Sequence, residues 1–170
     1  MTLDIHTFVS PCGPLVLAAR HDRLVQLHLP ESSDPPPQGT DRLTSILKRT
    51  AVQLAEYFAG TRTEFELDLA AEGTAFQRRV WDQLVTIPFG TTTSYGAIAH
   101  AIGRPAASRA VGAANGRNPI AIIVPCHRVI GSTGALTGFG GGLPLKQFLL
   151  AHERAHHQKG QLGLGLDAAR

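Results

Sequence analysis

The sequence predicts an α+β fold: a small N-terminal antiparallel sheet with one helix, then a mostly helical C-terminal region containing a helix-turn-helix. Up to Gly73, short apolar runs are separated by turn signals. Beyond it, apolar residues recur at helical spacing. Charge divides at the same point. Residues 1–73 hold 6 Lys+Arg against 10 Asp+Glu, a net of −4, and residues 74–170 hold 10 against 3, a net of +7. A length of 170 residues, 43% of them hydrophobic and 17% charged, suits one sizeable domain or two small ones around a packed core. It excludes a mostly disordered, collagen-like or coiled-coil chain.

Residues 7–10, 15–19 and 24–29 read as strands, with Pro11-Cys12-Gly13-Pro14 and His21-Asp22-Arg23 as turns. Residues 32–39 contain three consecutive prolines, which remove donors and fix φ, so they form an exposed connector. Asp41 is a plausible N-cap for a helix whose apolar positions run from Leu43 to Phe58 at helical spacing and stop at Gly60. Phe65, Leu67 and Leu69 alternate with Glu66 and Asp68 as a further strand. Thr74 caps a helix carrying Phe76, Val80, Trp81, Leu84 and Val85, which ends before Pro88. Ser94 opens a helix over 95–102, closed by Gly103, and 106–116 forms the next; the tight turn between them gives the helix-turn-helix outline. The helix over 143–154 is followed by a Gly-, Gln- and His-rich tail. The chain therefore divides into 1–73, 74–155 and a tail, 156–170, expected to be disordered, with His156 and His157 a solvated pair.

The +7 balance of the second part fits either a polyanionic partner, nucleic acid being the commonest, or a solvated basic face. The helix over 106–116 is nearly bare of long side chains, Arg109 excepted. Such a helix lies close to a surface with one cation projecting, which suits a minor groove and binding without regard to sequence. A buried Ala-rich helix with Arg109 turned outward explains the composition equally well. Two cysteines, the lack of a secretory signal and the lack of any apolar stretch of membrane-spanning length predict a soluble, cytoplasmic chain with reduced thiols and no membrane partner.

The apolar run 120–124 reads as a short buried strand leading into Pro125-Cys126-His127-Arg128-Val129. At an ordinary thiol pKa of about 8.5 only a few per cent of Cys126 would be ionised at neutral pH, so a nucleophilic role needs a base. His127 points away from Cys126 in an extended chain and would act through a bend or a water, oriented by a carboxylate. Glu153 is the best candidate in the acid-poor second part. A buried inert cysteine is the competing reading.

Pro125-Cys126-His127-Arg128-Val129, preceded by Asn118-Pro119 and followed by Gly141-Gly142 and the helix over 146–153, closely resembles the O6-alkylguanine-DNA alkyltransferase family. The similarity runs from Thr74 to Glu153 and includes Ile87-Pro88-Phe89-Gly90, Thr93-Ser94-Tyr95 and Arg109-Ala110-Val111-Gly112. It implies a ribonuclease-H-like N-terminal sheet and irreversible, single-turnover, cofactor-free transfer of an alkyl group from a flipped guanine to Cys126. It further implies His127 as base through a water, Glu153 as its orienting carboxylate, Asn118 as brace of the active-site turn and Tyr95 as proton donor to the guanine. DNA contacts would come from Thr93, Ser94, Arg109, Ala110, Ala113, Ala114 and Arg128, with Arg109 entering the stack. Gly138, Phe139, Gly140 and Val129 would line the base pocket. Many relatives have Tyr and Ser where this chain has Phe139 and Gly140, which loses a hydroxyl contact to the base. Cys12, His6, His21 and His28 do not match the zinc positions of some relatives, so no metal is expected. The expected partner is double-stranded DNA, bound through its minor groove by a monomer open to cooperative association. A non-catalytic lesion binder of the alkyltransferase-like type would replace Cys126. A hydrolase gives no reason for the helix-turn-helix, and a regulator none for the Pro-Cys-His-Arg-Val turn.

Overall fold

The computed structural model describes the backbone of residues 2–167 and the side chains of residues 2–160. Strands β1 (Leu3–Ser10), β2 (Gly13–Arg20) and β3 (Arg23–His28) form an antiparallel meander. The β2–β3 turn places His21 and Asp22 at φ 52° and 53°, as a two-residue hairpin turn of this hand requires. A further short strand, β4 (Gly39–Asp41), follows the proline-rich connector and pairs in parallel with β1, giving the order β3-β2-β1-β4. Asp41 therefore lies in a strand and is not the cap of helix α1 (Ser45–Ala59), whose N-cap is Thr44. The first turn of α1 is instead satisfied from the sheet, where Asp22 Oδ1 accepts from the Ile46 amide at 2.9 Å. The helix ends at Gly60 in the left-handed region, φ 77°, a conformation that glycine adopts without strain.

Phe65, Leu67 and Leu69 do not build a strand. Only Leu24 and Leu69 bridge, through Leu24 N–H to Asp68 O at 2.9 Å and Ala70 N–H to Leu24 O at 2.8 Å. The same edge of β3 also receives the segment that leads to Cys126, because the Leu27 amide donates to Pro119 O at 2.9 Å. Two short segments thus cover an edge that would otherwise present unpaired groups.

Helix α2 (Ala75–Val85) starts in a full capping box between Thr74 and Gln77. Its Trp81 indole donates to Ala114 O at 2.9 Å and ties it to the helix-turn-helix. That unit consists of α3 (Tyr95–Ala101), capped by Ser94, and α4 (Ser108–Gly116), which begins two residues later than the Ala-rich composition predicts. Strand β5 (Thr93–Ser94) pairs in parallel with β6 (Val129–Ile130), fixing the start of α3 beside the end of the cysteine turn. Helix α5 continues from Leu143 to Asp167, so most of the tail is helical and not disordered; its last residues, 168–170, lie outside the described region. His156 and His157 are not a solvated pair either. A Cβ on Gly60 would lie 1.8 Å from the His156 ring and one on Gly90 would lie 2.5 Å from His157, so both histidines pack on bare backbone. One apolar core joins the sheet, α1, α2, α4 and α5 through Leu17, Leu54, Leu84, Val111 and Leu149. No described helix is long and apolar enough to cross a membrane.

Candidate active site

Residues 120–124 are buried as predicted but form a tight loop in place of a strand. Asn118 imposes this: its Oδ1 accepts from the Ile120 amide at 3.0 Å and its Nδ2 donates to Val124 O at 2.8 Å, clamping both ends of the segment. Val124 N–H closes the turn onto Ile120 O at 2.9 Å, and Ile122 is held at φ 71°, unfavourable for a β-branched residue. An apolar run alone cannot separate a buried strand from such a turn. The loop delivers the chain into a single 3-10 turn, Cys126–Arg128, which bends the backbone and turns consecutive side chains in different directions inside the protein.

His127 is fully buried, and its Nε2 lies 2.7 Å from Glu153 Oε1. With Nε2–H donating to the carboxylate, Nδ1 becomes the acceptor nitrogen; it is buried and has no hydrogen-bond partner among the described residues. Glu153 is saturated. Oε1 also accepts from Tyr57 OH at 2.8 Å and Arg128 Nη2 at 2.9 Å, and Oε2 accepts from Arg128 Nε at 2.8 Å and the Gly90 amide at 3.2 Å. Burial works to raise the Glu153 pKa, but the hydrogen bonds and charges of His127 and Arg128 outweigh it and hold the carboxyl far below the usual carboxylate range.

Burial raises the pKa of the Cys126 thiol, opposed by the Asn118 hydrogen bond, the Lys146 charge and nearby backbone donors. Burial lowers the pKa of His127 against the pull of Glu153. Both directions favour a neutral thiol beside a neutral imidazole over an ion pair. The Cys126 turn opens on a pocket lined also by Asn115, Gly138, Phe139 and Gly140, with Leu29 and Ser32 of the N-terminal region on its other side. Tyr95 and Arg109 border a second depression with Thr137, which meets the first at Gly138. The Tyr95 hydroxyl accepts from Thr137 Oγ1 at 2.9 Å.

Three expected site residues are placed elsewhere. Arg128 is not on the DNA-facing surface: it is 5% exposed, doubly bonded to Glu153, donates to Ile87 O at 2.7 Å and has its guanidinium 5.7 Å from the Phe89 ring centroid. Ala114 is buried on the inner side of α4 with Val111, whereas Arg109, Ala110 and Ala113 are exposed. Val129 is fully buried and does not line the thiol pocket; its carbonyl accepts from Lys146 Nζ at 2.6 Å. Ser94 is engaged as the α3 cap and Thr93 in β5, both half-buried.

Sequence reasoning missed Lys146, whose fully buried ammonium also binds Thr137 O at 3.0 Å and anchors the loop that carries Phe139. It missed Asn115, which donates to Cys126 O at 3.3 Å, and Tyr57 as well. The helical position of Lys146 reads as an ordinary solvated lysine, and only its burial reveals the role. No group of three or more His, Cys, Asp or Glu that could hold a metal converges among the described residues, and the Cys12 thiol instead lies 3.0 Å from Ser10 Oγ.

A buried thiol lining a pocket, a carboxylate-held imidazole beside it in the chain and a helix-turn-helix with an exposed arginine together make a candidate site of the cysteine-acceptor class. The chain belongs to the 6-O-methylguanine DNA methyltransferase family: the ribonuclease-like domain of that family matches residues 5–71 and its DNA-binding domain residues 75–155. It is 52% identical over 155 residues to the methylated-DNA–protein-cysteine methyltransferase of Mycolicibacterium paratuberculosis, covering 91% of this chain and 94% of that one. It is 44% identical over 159 residues to the constitutive enzyme of that name from Bacillus subtilis, covering 90% and 96%. The crystal structure of Mycobacterium tuberculosis OGT in complex with DNA superposes with a TM-score of 0.85 at 50% identity, covering 90% of this chain and 94% of that chain.

Proposed function

We propose that this chain repairs duplex DNA by moving the alkyl group of O6-alkylguanine onto Cys126, once per molecule. The observation that carries the reading is the buried His127, whose Nε2 is committed to Glu153 and whose Nδ1 remains the proton acceptor. The Cys126 proton passes to Nδ1 through a water, and Glu153 stabilises the imidazolium that forms. The thiolate attacks the alkyl carbon in line. The C–O6 bond breaks, its electron pair goes to the guanine, and the Tyr95 hydroxyl supplies a proton so that a neutral base leaves. A thioether cannot be hydrolysed under these conditions, so the protein is spent after one transfer.

The neutral resting pair suits a thiol that must survive until a lesion arrives, because it exposes no standing thiolate to other electrophiles. Asn118 braces the turn that aims Cys126, and Gly138, Phe139 and Gly140 wall the pocket that receives the extruded base. Arg109 fills the gap left in the stack, while Ala110 and Ala113 let α4 approach a minor groove closely and without regard to sequence. Extrusion costs a few kcal/mol, less at a poorly paired lesion, which contributes selectivity. The protein acts as a cytoplasmic monomer on double-stranded DNA. The test is incubation with a duplex carrying O6-methylguanine, followed by mass measurement of the protein, with Cys126→Ala as the transfer-dead control that still binds the lesion.

A further inference from the structure

Tyr57 lies on α1 in the N-terminal domain, yet its hydroxyl reaches the carboxylate that serves the cysteine turn, 2.8 Å from Glu153 Oε1. That is the same oxygen to which His127 Nε2 donates. Tyr57 is fully buried, and its ring is fixed on several sides: by Phe58 at 5.1 Å, Phe65 at 5.6 Å, Phe89 at 6.0 Å and His152 at 5.1 Å between centroids. Packing alone would be met by phenylalanine. The hydroxyl adds a donor to an oxygen that already accepts from two other side chains, and so draws charge away from the atom that holds the imidazole.

We infer that Tyr57 is a positioning residue for the transfer: its hydroxyl shares Glu153 Oε1 with His127, so that the N-terminal domain sets how strongly the carboxylate holds the base. This rests on the reading of Cys126 as acceptor and His127 as its base. Burial, with Glu153 adding, pushes the Tyr57 hydroxyl well above its ordinary pKa, so it stays protonated and remains a donor throughout the working range. The other charged or titratable groups facing this cluster are Arg128 from the cysteine turn, Lys146 and His152 from α5, Cys126 itself and Cys12 from the β1–β2 turn. None of these donates to Oε1 except Arg128.

The experiment compares three full-length proteins: the natural chain, Tyr57→Phe, and a chain with 3,5-difluorotyrosine placed at position 57 by site-specific incorporation. The transfer rate from an O6-methylguanine duplex and the imidazole shifts of His127 by NMR are followed against pH. Without the hydroxyl, Glu153 holds His127 more strongly, so the acid limb of the rate and the His127 titration move upward together by about half a pH unit. The more acidic fluorinated phenol is a stronger donor and moves both the other way. A purely structural Tyr57 would lower the melting temperature of the phenylalanine variant and leave both pH curves unmoved, and coincident curves in the natural and fluorinated proteins overturn the inference even if the phenylalanine variant does not fold. The NMR titration reads the same hydrogen bond whether or not the chain transfers alkyl groups. Opposite His127 shifts without any transfer would therefore sustain the inferred coupling and refute only the proposed function.

Discussion

Glu153→Gln keeps the shape of the residue at the centre of the buried cluster and removes its charge. In the native protein the carboxylate receives donors from Tyr57, His127, Arg128 and the Gly90 amide and offers none. Glutamine has one acceptor oxygen and one amino group. If its oxygen keeps Tyr57 and His127, the amino group faces Arg128 Nε and the Gly90 amide, donor against donor. Arg128 is then a buried cation with no counter-charge within reach, left with the glutamine oxygen through Nη2, Ile87 O and the Phe89 ring as partners. Breaking a buried ion pair by removing one partner costs about 3–5 kcal/mol, against a total stability of about 5–15 kcal/mol for an ordinary domain. At a urea dependence of about 1–3 kcal/mol per molar, the unfolding midpoint should fall by roughly 1–5 M. Equilibrium urea unfolding at neutral pH, read by far-ultraviolet circular dichroism and Trp81 fluorescence, measures this. A fall under about 0.5 M with an unchanged slope would refute the ion-pair argument.

Stability should also fall on acidification, in two stages. The folded pKa of His127 is lowered, so its contribution is complete above the unfolded value of about 6.5 and is lost as pH drops through the folded one. Glu153 behaves in the same sense from its unfolded value of about 4.3, so the loss should steepen below that point, and Glu153→Gln should lack the steeper stage. Urea midpoints at a series of pH values test both, and a midpoint independent of pH down to 3.5 would contradict them. Arg109→Ala should slow transfer from duplex DNA by about tenfold or more, since a few kcal/mol of extrusion cost goes uncompensated, while transfer from free O6-benzylguanine changes less than about twofold. Equal losses on the two substrates would remove Arg109 from the extrusion step.

Much of the fold is written in local chemistry. The Thr74 cap, the Gly60 stop and the Ser94 cap each depend on residues within a turn of one another, and each lies where the sequence places it; the reciprocal Gln77 bond that completes the Thr74 box shows only in the structure. β4 is not legible, because three residues after a proline-rich stretch have no period to read, and only their pairing with β1 makes them a strand. Residues 65–69 have the alternation of a strand but no ladder to join beyond the single bridge at Leu24. The cysteine, the histidine and the carboxylate stand out because few acids occur after Gly73. Their support does not, since Tyr57 lies 96 positions from Glu153 and Arg128 looks like any other cation in a basic region until its burial is known. Side-chain type predicts what a group can do, but the partners that fix its protonation come from tertiary contact.

Under the proposed function Cys126 accepts the alkyl group, and does so once. Titrating the protein with a duplex bearing a single O6-methylguanine, then mapping the product by peptide mass spectrometry, tests it directly. The expected result is a plateau at one methyl group per protein molecule, all of it on the peptide containing Cys126, with Cys12 unmodified. Methyl on another residue, or release of repaired DNA beyond one equivalent of protein, would contradict it.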